Sequence, residues 1–232
     1  MLDWLSVEEW RAVALSLRVS AVATVVSLPL GILIALALAR GRFPGHNLLN
    51  GIVHMPLILP PVVTGYLLLI TFGRKGYVGY YLDHWFGIVF AFRWTGAVLA
   101  AGIMGFPLMV RAIRLAIESV DPRLEQAAST LGASRPWVFV TVTLPLILPG
   151  VVAGAILSFA KAMGEFGATI TFVSNIPGQT QTLPSAIYSF LQVPGGEPHA
   201  ARLVLVAVAV AMAALLLSEW VSRSVARRIS GL

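Results

Sequence analysis

Long uncharged apolar runs alternate with short charged or proline-rich stretches along this chain, and the lengths of those runs set its architecture. A membrane-spanning helix needs about 20 mainly apolar residues. Three runs reach that length: Val19 to Ala39, Ile52 to Phe72 and Trp137 to Ala160. Two shorter ones, Thr95 to Val110 and Leu203 to Ser218, extend into amphipathic ends and bring the set to five. The pattern predicts an all-α fold: a polytopic membrane helix bundle of about five spanning helices.

The first span carries its own start signal. Ser6-Val7-Glu8-Glu9 fits a capping box, a hydroxyl three residues ahead of a carboxylate. Trp10, Val13, Ala14 and Leu17 follow at helical spacing. The indoles of Trp4 and Trp10 suit headgroup depth, where a ring can be buried while its N–H stays wet. Residues 1–13 are expected to form an N-terminal interfacial segment from which the first helix dives. Asp3, Glu8 and Glu9 give this end an acidic start, and no small-residue cleavage site follows, so the segment is expected to stay in the membrane. Residues 14–222 then make one transmembrane domain, and residues 223–232 a basic cytoplasmic tail.

Prolines punctuate the spans at Pro29, Pro56, Pro60, Pro61, Pro107, Pro145 and Pro149. Each removes a backbone donor, so the spans are expected to bend around a pathway. Small residues recur four apart at Ala97, Ala101 and Gly105 and at Gly150 and Gly154, spacing that lets helices approach closely in lipid. Packing within one subunit is the simpler expectation, and a contact between two copies the other. Residues 166–196 are uncharged up to Gly196 yet rich in Gly, Thr, Ser, Gln and Pro, too polar to face lipid. Leu183, Ala186, Ile187, Phe190 and Leu191 predict a short amphipathic helix after Pro184. Irregular backbone at membrane depth survives only under protein or beside water. The segment is therefore either near a pathway or a plain external loop.

Composition agrees: 58% of the 232 residues are hydrophobic and 11% charged. A soluble domain keeps roughly a quarter of its residues charged. With no cysteine there are no disulfides, thiolate metal sites or cysteine nucleophiles. The net charge of +6 sits at the ends of apolar runs, where membrane topology explains it and nucleic acid is not needed. Five spans put Arg40, Arg42, Arg111, Arg114, Arg123, Arg135, Arg223, Arg227 and Arg228 on one side. Arg11, Arg74, Lys75, Arg93 and Arg202 fall on the other. The rule makes the first side cytoplasmic, with the N-terminus outside and the C-terminus inside.

The stretch from Asp121 to Pro145 carries the most chemistry. Asp121 can cap a helix that Pro122 begins. Leu124, Ala127, Ala128 and Leu131 share one face, and Gly132 follows where a left-handed stop belongs. A helix of about ten residues is thus predicted in the basic loop 119–136. So short a helix is marginal alone in water and gains stability by docking.

Glu125-Gln126-Ala127-Ala128, then Gly132, then Val142-Thr143-Leu144-Pro145 resembles the cytoplasmic signature of ABC importer permeases. That signature reads Glu-Ala-Ala, three residues, Gly, nine residues and Ile-x-Leu-Pro. Gln126 stands where the pattern has Glu, with Glu125 one place earlier, and Val142 replaces Ile. Much of the chain, including Pro56 to Tyr66, Gly164 to Phe172, Asn175-Ile176-Pro177-Gly178 and Val193 to Glu197, is similar to molybdate permeases. The Gly-Glu-Phe-Gly-Ala part is shared with sulfate permeases. The resemblance implies a type 1 importer transmembrane domain in a bacterial plasma (inner) membrane. Its coupling residues would be Glu125, Gln126, Ala127, Ala128, Leu131, Gly132, Leu144 and Pro145. Its partners would be cytoplasmic ATP-binding subunits, an external molybdate-binding protein and a second permease copy in a homodimer. ATP hydrolysis would belong to the partner, and this chain would carry no catalytic residue, metal or cofactor. Sulfate and tungstate are the alternative cargoes.

Lys161 and Glu165 lie four apart at the far end of the fourth span. They read either as an ion pair at the outer interface or, with Thr169 and Thr171, as part of an oxyanion pathway. Arg111 and Arg114 read most simply as positive-inside anchors, the other reading being groups that face a departing anion. His54 reads as a hydrogen-bonded interfacial histidine, the other reading being a pH reporter, and Glu219 beside Trp220 reads as an interface anchor. No nucleophile–base pair, metal cluster or phosphate-binding glycine loop is visible. An ion-coupled secondary transporter would need inverted repeats and buried coupling carboxylates. A membrane enzyme or scaffold would need a convergent polar set or an external domain. Neither pattern is seen.

Overall fold

A computed structural model describes residues 4–230. Residues 1–3 of the N-terminal segment, residues 231–232 of the basic tail and the side chains at 218 and 221–230 lie outside the described residues. All the elements among the described residues are helices. α1 spans Val7–Arg40 and opens on the predicted capping box: Ser6 Oγ accepts from Glu9 N, and the Glu9 carboxylate accepts from Ser6 N. Its 34 residues make a rod about 51 Å long, well beyond the ~30 Å hydrocarbon core. The interfacial residues from Val7 onward are therefore the first turns of the same helix as the span.

The second apolar run does not form the single continuous span that its length suggests. It breaks into α2 (His46–Ile58) and α3 (Pro61–Phe72), which meet at 116°. The cause is the pair Pro60-Pro61, which together offer no backbone donor, preceded by Leu59 in the extended conformation that a following proline demands. α4 (Gly79–Phe86) caps the return, and α5 (Trp94–Glu118) crosses back. α6 (Pro122–Thr130) and α7 (Arg135–Val138) fill the following loop. A π-helical turn at Phe139–Thr143 leads into α8 (Leu144–Met163). α9 (Gly167–Val173), α10 (Leu183–Leu191) and α11 (Glu197–Ser230) complete the chain. Four of these helical stretches are long and apolar enough to cross a bilayer, or five when the bent α2–α3 pair counts as one crossing. α1, α5 and α8 run through Pro29, Pro107 and Pro149 without interruption, so the large bend comes from the adjacent prolines alone.

α1, α5 and α8 pack side by side as the centre of the bundle. Ala97, Ala100 and Ala101 are fully buried on α5. A Cβ on Gly105 would lie 2.6 Å from Ser158 Oγ, and one on Gly150 only 2.2 Å from the Ala116 Cβ. The small-residue rows therefore serve contact between helices of one subunit, chiefly α5 with α8. The polar segment after residue 166 is not a plain external loop. Thr180, Gln181 and Thr182 are buried, and Leu183 N donates to Ser16 Oγ on α1 at 2.6 Å. Its irregular backbone is covered by protein at Thr180, Gln181 and Thr182.

The two ends of α1 are tied by different chemistry. At its first turn the fully buried Glu9 accepts from Arg202 Nη2 at 2.8 Å and Nε at 3.2 Å, with His199 Nδ1 3.0 Å from the same oxygen. This fixes α1 to the start of α11. At its last turn Arg40 donates to Val120 O at 3.1 Å, which fixes α1 to the end of α5. Close by, Arg114 bonds Glu118 and Asn50 and so holds α2 to α5. His54 Nδ1 sits 2.9 Å from Asn50 O, a structural contact.

Candidate coupling site and substrate pathway

α6 begins as its sequence predicts. Asp121, in extended backbone, accepts from Arg123 N at 2.9 Å, and Pro122 occupies the first helical position. At the far end Ser129 Oγ donates to Glu125 O and Thr130 Oγ1 to Ala127 O. Gly132 then takes φ +86°, the left-handed stop that a Cβ would disfavour. No residue of α6 is buried, and Leu131 beyond it is 89% exposed. A short helix showing Leu124, Ala127 and Leu131 to the outside lacks the contacts that would stabilise it.

Among the described residues, one α6 side chain makes polar contacts with the spanning helices. Glu125 turns inward, where its Oε1 accepts from Thr143 Oγ1 at 2.8 Å and lies 3.5 Å from Arg40 Nη2. Gln126 is exposed. The inward carboxylate therefore belongs to Glu125, one place ahead of the position in the signature. Through it α6 touches both the end of α1 and the π-turn that starts the fourth span. Leu144 N donates to Phe139 O, five residues back, so the π-turn bridges α7 to α8. Pro145, at the second position of α8, has no N–H to offer, which makes that junction weak in backbone bonds. A cavity of about 970 Å³ opens between the end of α1, α6 and α7, lined by Arg40, Gln126, Arg135 and Phe139 among others.

The second group lies at the α8–α9 break. Lys161 Nζ pairs with Glu165 Oε2 at 3.0 Å, and the other Glu165 oxygen accepts from Ala168 N at 3.0 Å. Glu165 is buried and caps α9. Thr169 Oγ1 donates to Phe166 O, and Thr171 Oγ1 to Gly167 O. These hydroxyls are spent on their own helix. The structure thus brings Lys161 and Glu165 together as an ion pair and leaves Lys161 as the partly exposed member.

Two motifs that read as separate in the sequence meet at this point. A Cβ on Gly167 would lie 2.7 Å from the Pro61 Cβ, and one on Gly65 would lie 2.6 Å from Ala168 O. The α2–α3 break thus rests on the α8–α9 break, and glycine is what allows it. The sequence also gives no sign of the Glu9–Arg202 tie or the Arg40–Glu125 pair, which join residues distant in the chain. Arg18 could have been noticed as a charge beside the first apolar run. Its guanidinium stacks 3.9 Å over the Trp94 ring. Among the described residues no three His, Cys, Asp or Glu side chains are grouped to hold a metal ion.

Comparison with solved structures finds the same fold. The chain aligns with an ABC transporter that imports the acidic polysaccharide alginate (TM-score 0.74, 21% identity, 94% of this chain and 80% of that one). It also aligns with the MetNI methionine ABC transporter in inward-facing form (TM-score 0.69, 16% identity, 97% and 99%). Among curated proteins it is 62% identical to the molybdenum transport system permease protein ModB of Escherichia coli (strain K12), over 93% of this chain and 94% of that protein. It is 56% identical to ModB of Haemophilus influenzae, over 95% and 96%. The sulfate transport system permease CysT of Salmonella typhimurium is 33% identical, over 95% of this chain and 79% of that protein. The model of the binding-protein-dependent transport system inner membrane component family matches residues 27–231, and the chain, with its bundle of spanning helices and its exposed, single-tethered α6, belongs to that family.

Proposed function

We propose that this chain is the pathway-forming subunit of an ATP-driven molybdate importer. It works as a pair of copies, with ATP-binding subunits on the α6 side and a molybdate-binding protein on the other. The observation that carries this reading is α6 itself: a helix with its apolar side chains uncovered and a single carboxylate, Glu125, reaching back to two spans. Such a helix suits a groove in another subunit, and the tether passes that subunit's motion to α1 and α8. Hydrolysis belongs to the partner, and this chain converts closure of the motor into a change of access. The α6 end is then cytoplasmic, as the basic Arg40, Arg42, Arg111, Arg114, Arg123 and Arg135 favour. The N-terminus lies outside and the C-terminus inside. Two copies related by a two-fold axis would enclose the pathway that one narrow bundle cannot.

Identity of 62% to a molybdenum permease against 33% to a sulfate permease supports molybdate over sulfate. The test is reconstitution of the chain with its ATPase and binding protein in vesicles, with uptake of molybdate, tungstate and sulfate compared. ATP-dependent molybdate uptake is expected, with sulfate weaker. Preferential sulfate uptake would overturn the cargo assignment. Uptake that persists without ATP would overturn the motor.

A further inference from the structure

At the end of the bundle opposite α6, three arginines gather where the topology of the chain gives them no reason to be. Arg18 on α1 and Arg93 at the cap of α5 line a cavity of about 410 Å³, together with Phe92, Trp94, Thr95, Gly178 and Gln179. Arg11 Nη1 reaches within 3.9 Å of where a Cβ on Gly178 would stand. The positive-inside bias accounts for basic residues beside α6, but it works against basic residues at the outer end. Arg11, Arg18 and Arg93 make no ion pair or side-chain hydrogen bond among the described residues. Unpaired guanidinium groups around a cavity leave its positive charge uncompensated.

The cavity is also preorganised. The Arg18 guanidinium carbon sits 3.9 Å from the centre of the Trp94 indole, a cation–π contact that holds the group at the cavity without using its N–H donors in a hydrogen bond. α5 begins at Trp94 with no side-chain cap, so the amides of Trp94 and Thr95, both residues of the cavity wall, and the positive end of the helix dipole lie in the same region. Gly178, in a turn at φ +74° that ends the Asn175-Ile176-Pro177-Gly178 motif, and Gln179 supply a further part of the wall. Arg18 and Arg40 are 22 residues apart on one helix, about 33 Å, which puts Arg18 near the outer edge of the ~30 Å hydrocarbon core.

We propose that Arg18, Arg93 and the N-terminus of α5, with Arg11 beside them, form a binding site for a tetrahedral oxyanion at the outer mouth of the bundle. It rests on the reading of the chain as an oxyanion permease, since the permeating anion is one ligand with this chemistry. The phosphate of an anionic lipid is the other. Guanidinium edges and backbone amides bind both in the same way, through charge-assisted hydrogen bonds.

The test uses the assembled transporter in nanodiscs of zwitterionic lipid. Sodium molybdate and sodium sulfate are titrated in by calorimetry, and the Arg18→Gln/Arg93→Gln double variant is measured beside the wild type. Loss of about tenfold or more in affinity in the variant is expected, from two charge-assisted contacts. A parallel arm adds phosphatidylglycerol and follows lipid retention by native mass spectrometry. Retention lost in the variant, with molybdate affinity unmoved, assigns the site to the lipid phosphate. Neither anion binding nor lipid retention changing in the variant overturns the site. So does loss of binding-protein docking with both unchanged, which would make these arginines a protein contact. Vesicle uptake by the wild type separates the two readings: if molybdate is not imported yet the variant loses oxyanion binding, the permease assignment falls and the site stands.

Discussion

Removing the Glu125 carboxylate tests the coupling argument at its narrowest point. In Glu125→Ala, Thr143 Oγ1 loses a charged acceptor at 2.8 Å and Arg40 loses an anion at 3.5 Å. A hydrogen bond to a charged group is worth about 1.5–3 kcal/mol. Both partners of the Arg40 contact are about a quarter exposed, which limits the ion pair to about 1 kcal/mol or less. Taking about 2 kcal/mol for the pair, α6 leaves its seat on the bundle roughly 30-fold more often. Arg40 keeps its bond to Val120 O, and no buried cavity is made, so the fold should survive. The assay is the number of molybdate ions imported per ATP hydrolysed in reconstituted vesicles. Glu125→Ala should lower that ratio severalfold with ATP hydrolysis sustained, and Glu125→Gln, which can still accept from Thr143, should lie between. The double variant Glu125→Ala/Thr143→Val should be little worse than Glu125→Ala alone, because both remove one contact. A wild-type ratio in Glu125→Ala would refute the tether. A larger effect from Gln126→Ala, whose exposed side chain makes no hydrogen bond to the bundle among the described residues, would move the carboxylate role to the partner interface.

Gly167→Ala should lower thermal stability by about 1–3 kcal/mol and impair uptake, because its Cβ would stand 2.7 Å from the Pro61 Cβ and pry the two helix breaks apart. An unchanged melting temperature in detergent would show that the breaks are not in rigid contact. Arg202→Met leaves the buried Glu9 carboxylate with only Ser6 N and His199 as partners, and should cost about 3 kcal/mol, read in the same melt. A neutral effect would mean that the tie between α1 and α11 is solvent-relaxed. Gly132→Pro cannot take φ +86°, so it should disrupt the end of α6 and abolish uptake with membrane insertion intact, while Gly132→Ala is milder. Normal uptake in the proline variant would count against the coupling role.

Apolar run length was a good guide to the number of crossings because lipid imposes one length on every span. Asp121, Pro122 and Gly132 also told their structure, since caps and stops are local chemistry. Run length failed at Pro60-Pro61, where an apolar stretch of spanning length hides a 116° turn. Two prolines in sequence said "bend", but only the packed position of Gly167 explains why the bend is kept. The same limit applies to Glu165. Its spacing from Lys161 predicted the pair, whereas its second bond, to Ala168 N, depends on where α8 stops. The choice between Glu125 and Gln126 rested on Thr143 and Arg40, 18 and 85 positions from Glu125 in the chain, and no local pattern could make it. Arg18 and Arg93 were visible as charges, but their shared cavity was not.

The arrangement of rigid and broken elements decides how a push on α6 spreads. It has two routes into the bundle, both from Glu125: through Arg40 into α1, and through Thr143 into the π-turn before α8. α1 and α8 both lie against α5, whose alanine and glycine face leaves no slack for sliding. Those three helices should turn together. The α2–α3 bend and the α8–α9 break have no continuous helix across them, so relative motion should collect there. The chain contains no cysteine, so single labels can be introduced cleanly. Spin labels at Leu115→Cys and Val7→Cys, both exposed, report on α5 against α1; Leu115→Cys with Tyr77→Cys reports on α5 against the end of α3. With one copy of the pair labelled and ATP replacing ADP, the first distance should hold within about 1–2 Å, the scale of helix shifts in packed interfaces. The second should change by more. Equal changes in the two distances would mean that α1 and α5 slide past one another, and the picture of a stiff central trio driving broken helices would have to be given up.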